Sequence, residues 1–392
     1  MRAPGELLHF MRGEPIAVDV GDIERALADL WKQASATMGA GSADGPADAP
    51  VSRAALWNVV IPARGRDALA ATKHLVDELA PALPTRTITL CLDDARTSGG
   101  AGSGSSDSSE LQATIESNVV AQPGGARTVY SEEIMVAGPP GAEAHFGALV
   151  RALQVPGVPT ATFWMDPTMP ASLLTRELLP MTSRLVLDTT ACLRPRHLFD
   201  FDRLATAAHP LPIADIAWLR LGPLRSLFAG MFDPPVGGGP LRRATRLAVT
   251  HRPGSDAAAL LMLAWIGVLL DWRPRRSVQT SDGGLRFDFD RGGTLVTGTL
   301  MPANGACGKS GMLGLELAVG TERYAIRRTA LDQAVVETPQ VPPKPVMLDA
   351  HSDAELCVAA LGSRGRDPLF ARCLAYARQL WSLEPDSAGS RR

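Results

Sequence analysis

From Ala54 onward, short apolar runs alternate with longer stretches in which apolar residues return every three to four positions. ALWNVVIPA (55–63), TRTITLCLD (85–93), TVYSEEIMV (128–136), TATFWMD (160–166) and RLVLDTT (184–190) predict strands. Between them, Asp67–Ala80, Ala142–Leu153, Ala171–Leu179 and Leu198–Ala208 carry the helical period. This β-α rhythm predicts a largely parallel sheet flanked by helices over residues 51–210, the α/β half of the fold.

The next stretch, Ala214–Pro235, packs charged and aromatic residues densely. Leu224, Leu227, Phe228, Met231 and Phe232 fall on one helix face, with Pro223 suited to its first turn and Asp233 before the prolines that stop it. The segment before Gly222-Pro223 reads as a short helix capped by Asp215, although Ala214, Ile216 and Trp218 also alternate like a strand. Arg243–His251 predicts a strand, and Ala257–Asp271, capped by Asp256, a helix apolar nearly all round. The period then drops to two through SVQTSD, LRFDFDR, TLVTGTLM, GLELAV and RYAIRRT, joined by Gly-rich turns, which predicts an antiparallel meander. VPPKP (341–345) leads into two closing helices, Ala354–Leu361 and Pro368–Leu383. The second domain, 211–383, is therefore expected to be α+β. Ahead of both domains lie an amphipathic helix within 17–38, capped by Asp22, and a Gly/Ala/Ser/Pro linker, making residues 1–50 a leader segment. The low-complexity stretch 97–109 and the tail 384–392 are expected to be disordered.

Length supports this division, because 392 residues exceed what one hydrophobic core usually serves. Charge narrows the partners: 39 basic against 41 acidic residues give a net −2 and no electrostatic case for nucleic acid or an anionic membrane. The longest apolar run, Ala257–Leu270, is too short to span a bilayer, and the N-terminus lacks a signal-like apolar core, so the expected location is cytoplasmic. Cys91, Cys192, Cys307, Cys357 and Cys373 are widely spaced without a C-x-x-C pair, which argues against a disulfide framework or a zinc knuckle.

The motifs that resemble chemistry lack the context it needs. ANGACGKSG (303–311) has Gly308, Lys309 and Ser310 of a phosphate loop but Ala303 in place of the first glycine and a strand where a helix is required, so it reads as a hairpin loop. The GGAGSG of the low-complexity stretch has neither strand nor helix beside it. The seven histidines show no helical metal spacing, and no serine or cysteine sits in a nucleophile motif, so neither a metal, a cofactor nor a catalytic residue is expected. Glu132 and Glu133 point to opposite faces of their strand. Asp188, at the carboxyl end of its strand, sits where α/β sheets place ligand groups; with Arg86 and Glu132 it makes the candidate ligand site.

The order of motifs resembles the OpcA family of glucose-6-phosphate dehydrogenase assembly proteins. Asp215, Trp218, Arg220, Leu221, Arg225, Phe228, Phe232 and Asp233 are similar to that family's Asp-Leu-x-Trp-x-Arg-Leu segment and its continuation, with Leu224 where a Trp is usual. Asn58, Pro84-Thr85-Arg86, Glu132-Glu133, Pro159–Trp164, Asp188-Thr189, Trp265 and Trp272 follow in family order. The resemblance implies a non-catalytic protein that binds glucose-6-phosphate dehydrogenase and promotes its active oligomer. Asp215, Trp218, Arg220, Arg225 and Asp233 are then the candidate partner contacts, with Trp218, Phe228 and Phe232 expected in the core and Arg220 and Arg225 presented outward. The alternative from the residues alone is a sugar-phosphate- or nucleotide-binding enzyme using the sheet edge near Asp188.

Overall fold

The computed structural model describes residues 9–40, 55–92, 111–121, 128–166, 169, 171–191, 211–233, 236–305, 307–363, 365–383 and 385–386. The chain divides into two compact units, 1–186 with 353–362 and 187–352 with 363–392. The division falls earlier than the expected 210/211 boundary, and the first closing helix, Asp353–Gly362, joins the first unit by packing on the helix that follows its first parallel strand.

The first unit contains β1 (His9–Arg12), β2 (Ile16–Val18), α1 (Ile23–Ala40), β3 (Trp57–Arg64), α2 (Gly65–Leu79), β4 (Thr85–Leu92), β5 (Gln112–Ala121), β6 (Thr128–Gly138), α3 (Glu143–Leu153), β7 (Thr160–Trp164) and β8 (Arg184–Leu187). Strand order runs β1-β5-β6-β4-β3-β7-β8. β6, β4, β3 and β7 are parallel, and their cores are buried on both faces, which is why they read as continuous apolar runs. The crossovers β3-α2-β4 and β6-α3-β7 progress in opposite directions along the sheet, and right-handed connections then set α2 and α3 on opposite faces.

β1, β2 and β5 form an antiparallel extension that the apolar pattern does not announce. The expected leader is thus partly built into the unit: β1 and β2 pair with β5, and α1 buries Ile23 and Leu27 beside it. Asp22 lies in a short 3-10 turn and pairs with Arg25 instead of capping α1. Leu173–Leu178 winds as π-helix where the pattern predicts an α-helix. The expected helix 198–208, the disordered stretch 97–109 and all but the start of the linker lie outside the described residues.

The second unit continues with β9 (Ile213–Asp215), α4 (Ile216–Arg220), α5 (Gly222–Gly230), α6 (Gly239–Arg243), β10 (Arg246–His251) and α7 (Asp256–Leu269). β11 (Arg273–Gln279), β12 (Leu285–Arg291), β13 (Thr294–Pro302), β14 (Met312–Val319), β15 (Glu322–Arg328), β16 (Gln333–Thr338) and β17 (Val341–Met347) follow, then α8 (Pro368–Trp381) and β18 (Pro385–Asp386). The sheet order is β17-β16-β15-β14-β10-β13-β12-β11-β18. β10 inserts between β13, to which it is parallel, and β14, so the loop 303–311 bridges across β10 and is not a hairpin.

α7 lies between sheet and α8 with Ala257–Gly267 buried, as its apolar circumference requires. Its N-cap is Ser255, with Asp256 in the first turn. A side chain at Gly267 would meet the Tyr376 ring at 2.7 Å, so this glycine sets how closely α7 and α8 approach. The proline-rich segment forms the edge strand β17, where missing N–H groups are tolerated. Of the tail expected to fray, Pro385 and Asp386 pair with Ser277 and Val278 of β11.

Candidate functional site

Among the described residues, three places bear on the sites expected from the sequence, two of them built by the residues singled out there. In the second unit, β9 ends at Asp215, whose side chain turns the chain into α4. Oδ1 accepts from the Ala217 and Thr189 N–H groups, and Oδ2 accepts from the Thr189 hydroxyl at 2.7 Å. Asp215 is the cap the sequence indicates, but it is wholly buried, and burial raises its carboxyl to about 6 against the opposing pull of those hydrogen bonds.

One turn later Arg220 reaches back to Asp188. Nη1 donates to Oδ1 and Nη2 to Oδ2, each at 2.8 Å, and Nη1 also reaches the Thr190 hydroxyl. The Arg220 side chain is 8% exposed. It therefore does not project outward as expected: its guanidinium closes onto the loop after β8.

Trp218, on the same helix, is buried between Arg225, whose Cζ lies 3.4 Å from the ring centroid, and Phe370 at 5.6 Å. Its indole N–H donates to Asp367 Oδ2 at 3.0 Å. The other oxygen of Asp367 accepts from the Leu369 and Phe370 N–H groups, capping α8. Burial lowers the Arg225 guanidinium to about 10, partly offset by Asp367, and pushes the Cys373 thiol up to about 12, so this cysteine is a packed thiol and not a nucleophile. α5 extends the cluster with Phe228, which packs against Trp265, and the turn after it with Phe232, which packs against Tyr324; the expected helical stripe thus ends before Met231 and Phe232. Of the five expected partner contacts, Asp215, Trp218 and Arg220 are thus internal, Arg225 is half-buried and Asp233 is exposed.

The first unit brings Arg86 and Glu132 together and leaves Asp188 out. Arg86 Nε donates to Glu132 at 2.6 Å, and Nη1 donates to Glu24 of α1 and to the Leu153 carbonyl at the end of α3. Trp31 of α1 donates its indole N–H to the other oxygen of Glu132. Burial alone would lower the Arg86 guanidinium, but Glu132 and Glu24 together hold it above its usual value. These groups line a cleft of about 370 Å³ with Thr85, Gln154 and Pro156, at the amino edge of the parallel strands. The second carboxylate, Glu133, faces the opposite side with Glu116, where Lys73 bridges them at 3.5 and 3.1 Å. Glu24, Trp31 and Asp367 escape a sequence reading; only Asp367-Pro368 carries a local signal, that of a capped helix start.

At the third place, the carboxyl edge between β3 and β7, the strand order reverses and doubly wound sheets usually bind ligands. The turn into α2 has one glycine, Gly65 (φ +73°), instead of a glycine-rich cradle. The Arg64 N–H at this turn donates to Asp166 Oδ2 at 2.9 Å. A carboxylate of the chain itself thus takes the backbone donor at this turn.

Residues 76–205 match the family model for the N-terminal domain of the glucose-6-phosphate dehydrogenase subunit, and residues 211–374 match the one for its C-terminal domain. A protein of Synechocystis that carries the name OpcA, for the OxPP cycle, is 26% identical over 201 residues, 51% of this chain and 40% of that protein. One of the same name in Nostoc punctiforme is 28% identical over 144 residues, 36% of this chain and 30% of that protein. The matched stretches thus span less than half the length of these relatives. Among solved structures, an NAD binding oxidoreductase from Klebsiella pneumoniae aligns with a TM-score of 0.49 at 10% identity, over 84% of this chain and 96% of that one. A dehydrogenase from Chromobacterium violaceum aligns with a TM-score of 0.44 at 11% identity, over 83% and 94%.

Proposed function

The chain belongs to the OpcA family of glucose-6-phosphate dehydrogenase subunits, and from that premise we propose that it is a non-catalytic partner of the dehydrogenase. It binds that enzyme in the cytoplasm and favours its active oligomeric state, serving the oxidative pentose phosphate pathway as an allosteric activator. The observation that carries this reading is the match of both family domains, in order, across residues 76–374.

The local chemistry agrees with it. The arginines of both buried clusters are engaged by carboxylates or rings of the same unit, so their charges are already met within it. The reading as a sugar-phosphate or nucleotide enzyme needs Asp188 open at a sheet edge, and Arg220 covers it with two hydrogen bonds. No described helix is long and apolar enough to cross a membrane.

Activation by binding requires only a difference in affinity between two states of the enzyme. A tenfold shift toward the active state needs about 1.4 kcal/mol of differential binding. Titrating the purified chain into the dehydrogenase, while following initial rate and particle mass by light scattering, tests the reading. A saturable rise in rate with a heavier species is expected; no change in rate or mass at micromolar excess would sink it.

A further inference from the structure

The two faces of the second unit's sheet are chemically different. Leu247, Val249, Leu315 and Leu317 point toward the helical side and are buried, as α7 packs against β10 and β13. The register places the alternate residues on the other face, and there, beside the exposed Leu295, the exposed charged side chains include a row of arginines.

Arg246, Arg323 and Arg327, from neighbouring strands, surround Glu316 at 3.2, 3.9 and 3.5 Å, and Arg327 also meets Glu337 at 2.8 Å. Arg276 and Arg286 share Asp288, and Arg275 pairs with Asp290. Six guanidinium groups therefore stand against four carboxylates on one face of a chain whose net charge is −2. The two signs also differ in depth. The arginine side chains are 40–65% exposed, the carboxylates 5–32%. The acids lie beneath and align the guanidinium groups, which form the outer surface. Between them runs a groove of about 510 Å³ with Thr250, Thr299, Met301 and Leu313 in its lining.

We propose that this arginine face is the docking surface for an acidic patch on the partner protein. Guanidinium groups bind carboxylates through paired hydrogen bonds, and here they are already oriented by recessed carboxylates that an incoming Asp or Glu can share or replace. A face on which six guanidinium groups outnumber four recessed carboxylates, on a nearly neutral chain, steers encounter more than it holds the complex, so its signature is a salt-sensitive association rate. The proposal rests on the dehydrogenase being the partner.

The test measures binding of full-length chain to the dehydrogenase by surface plasmon resonance at several salt concentrations. Three proteins are compared: wild type, R246Q/R323Q/R327Q, and a charge-matched control, R25Q/R66Q/R151Q, on the first unit. The face variant is expected to associate about tenfold more slowly at low salt with a flatter salt dependence, while the control stays within about twofold of wild type. E316Q, which removes the shared carboxylate without removing a guanidinium, is expected to bind faster than wild type. It keeps the proposal testable if the triple variant fails to fold. Wild type that binds while both triple variants behave alike overturns the proposal and leaves the functional reading standing. So does a face variant that loses only self-association or only RNA binding, or an E316Q that binds more slowly. Wild type that does not bind the dehydrogenase overturns the functional reading, and this inference with it.

Discussion

Arg220 grips Asp188 edge-on, with two parallel N–H···O bonds of equal length, 2.8 Å. The pair joins the loop after β8 to α4 across 32 residues of chain. Its geometry depends on the planar fork of arginine, which lysine cannot reproduce. Removing the cation with R220A strands a largely buried carboxylate and should cost on the order of 3 kcal/mol. R220K keeps the charge but one bond at most, so its urea midpoint should fall between wild type and R220A. Equal midpoints for R220K and wild type would show the fork to be dispensable.

Asp215 predicts a pH dependence of opposite sign to that of most carboxylates. Its folded value, about 6, lies above the ordinary 3.8, so the folded state holds the proton more tightly than the unfolded chain. Stability from this group is therefore greatest below about pH 4, declines as pH rises to about 6, and is flat above that. D215N retains an oxygen acceptor for the backbone N–H groups and removes the titration. Plotted against pH, the difference in urea midpoint between D215N and wild type should shift in favour of D215N across that window. A difference independent of pH would refute the assignment.

Asp367 has two separable tasks, capping α8 with one oxygen and receiving the Trp218 indole N–H with the other. D367A should lose both, about 2–3 kcal/mol in all. D367S restores a cap but is too short to serve the indole, so it should recover roughly 1 kcal/mol. Thermal melts of the three proteins separate the contributions; identical melting of D367A and D367S would mean that the cap contributes nothing.

In the first unit, Arg86 and Glu132 are buried, with side chains 3% and 5% exposed, whereas Glu24 is 51% exposed. Loss of the arginine leaves a buried carboxylate without its counter-charge, so R86A should destabilise by about 3–5 kcal/mol. E24A, at the solvent end of the same network, should cost less than about 1 kcal/mol. A denaturant series on the two single variants tests the ordering.

What the sequence discloses follows how locally each element is determined. α7 is legible because it is apolar all round, and the Asp215 cap and the Gly222-Pro223 break because helix starts have short-range signatures. β5 is not, since two of its buried positions are Glu116 and Asn118, and buried polar residues erase the alternation that marks a strand. The bond from Trp31 to Glu132 joins residues 101 apart, and β10 takes its place in the sheet through pairings with β13 and β14. No pattern within a helix or strand reports contacts of that range. The same applies to the site residues: the apolar run before Asp188 places it at a strand's carboxyl end, but that Arg220 covers it follows from the tertiary fold alone.

The prolines of β17 bear on how the second sheet ends. Pro342, Pro343 and Pro345 remove three of the seven N–H groups of its outermost strand. A strand from another molecule would find an interrupted row of donors there and could not continue the ladder, so this margin is a terminus and not a template for growth. At high concentration such a molecule is protected along that border against the edge-to-edge stacking that seeds fibrils.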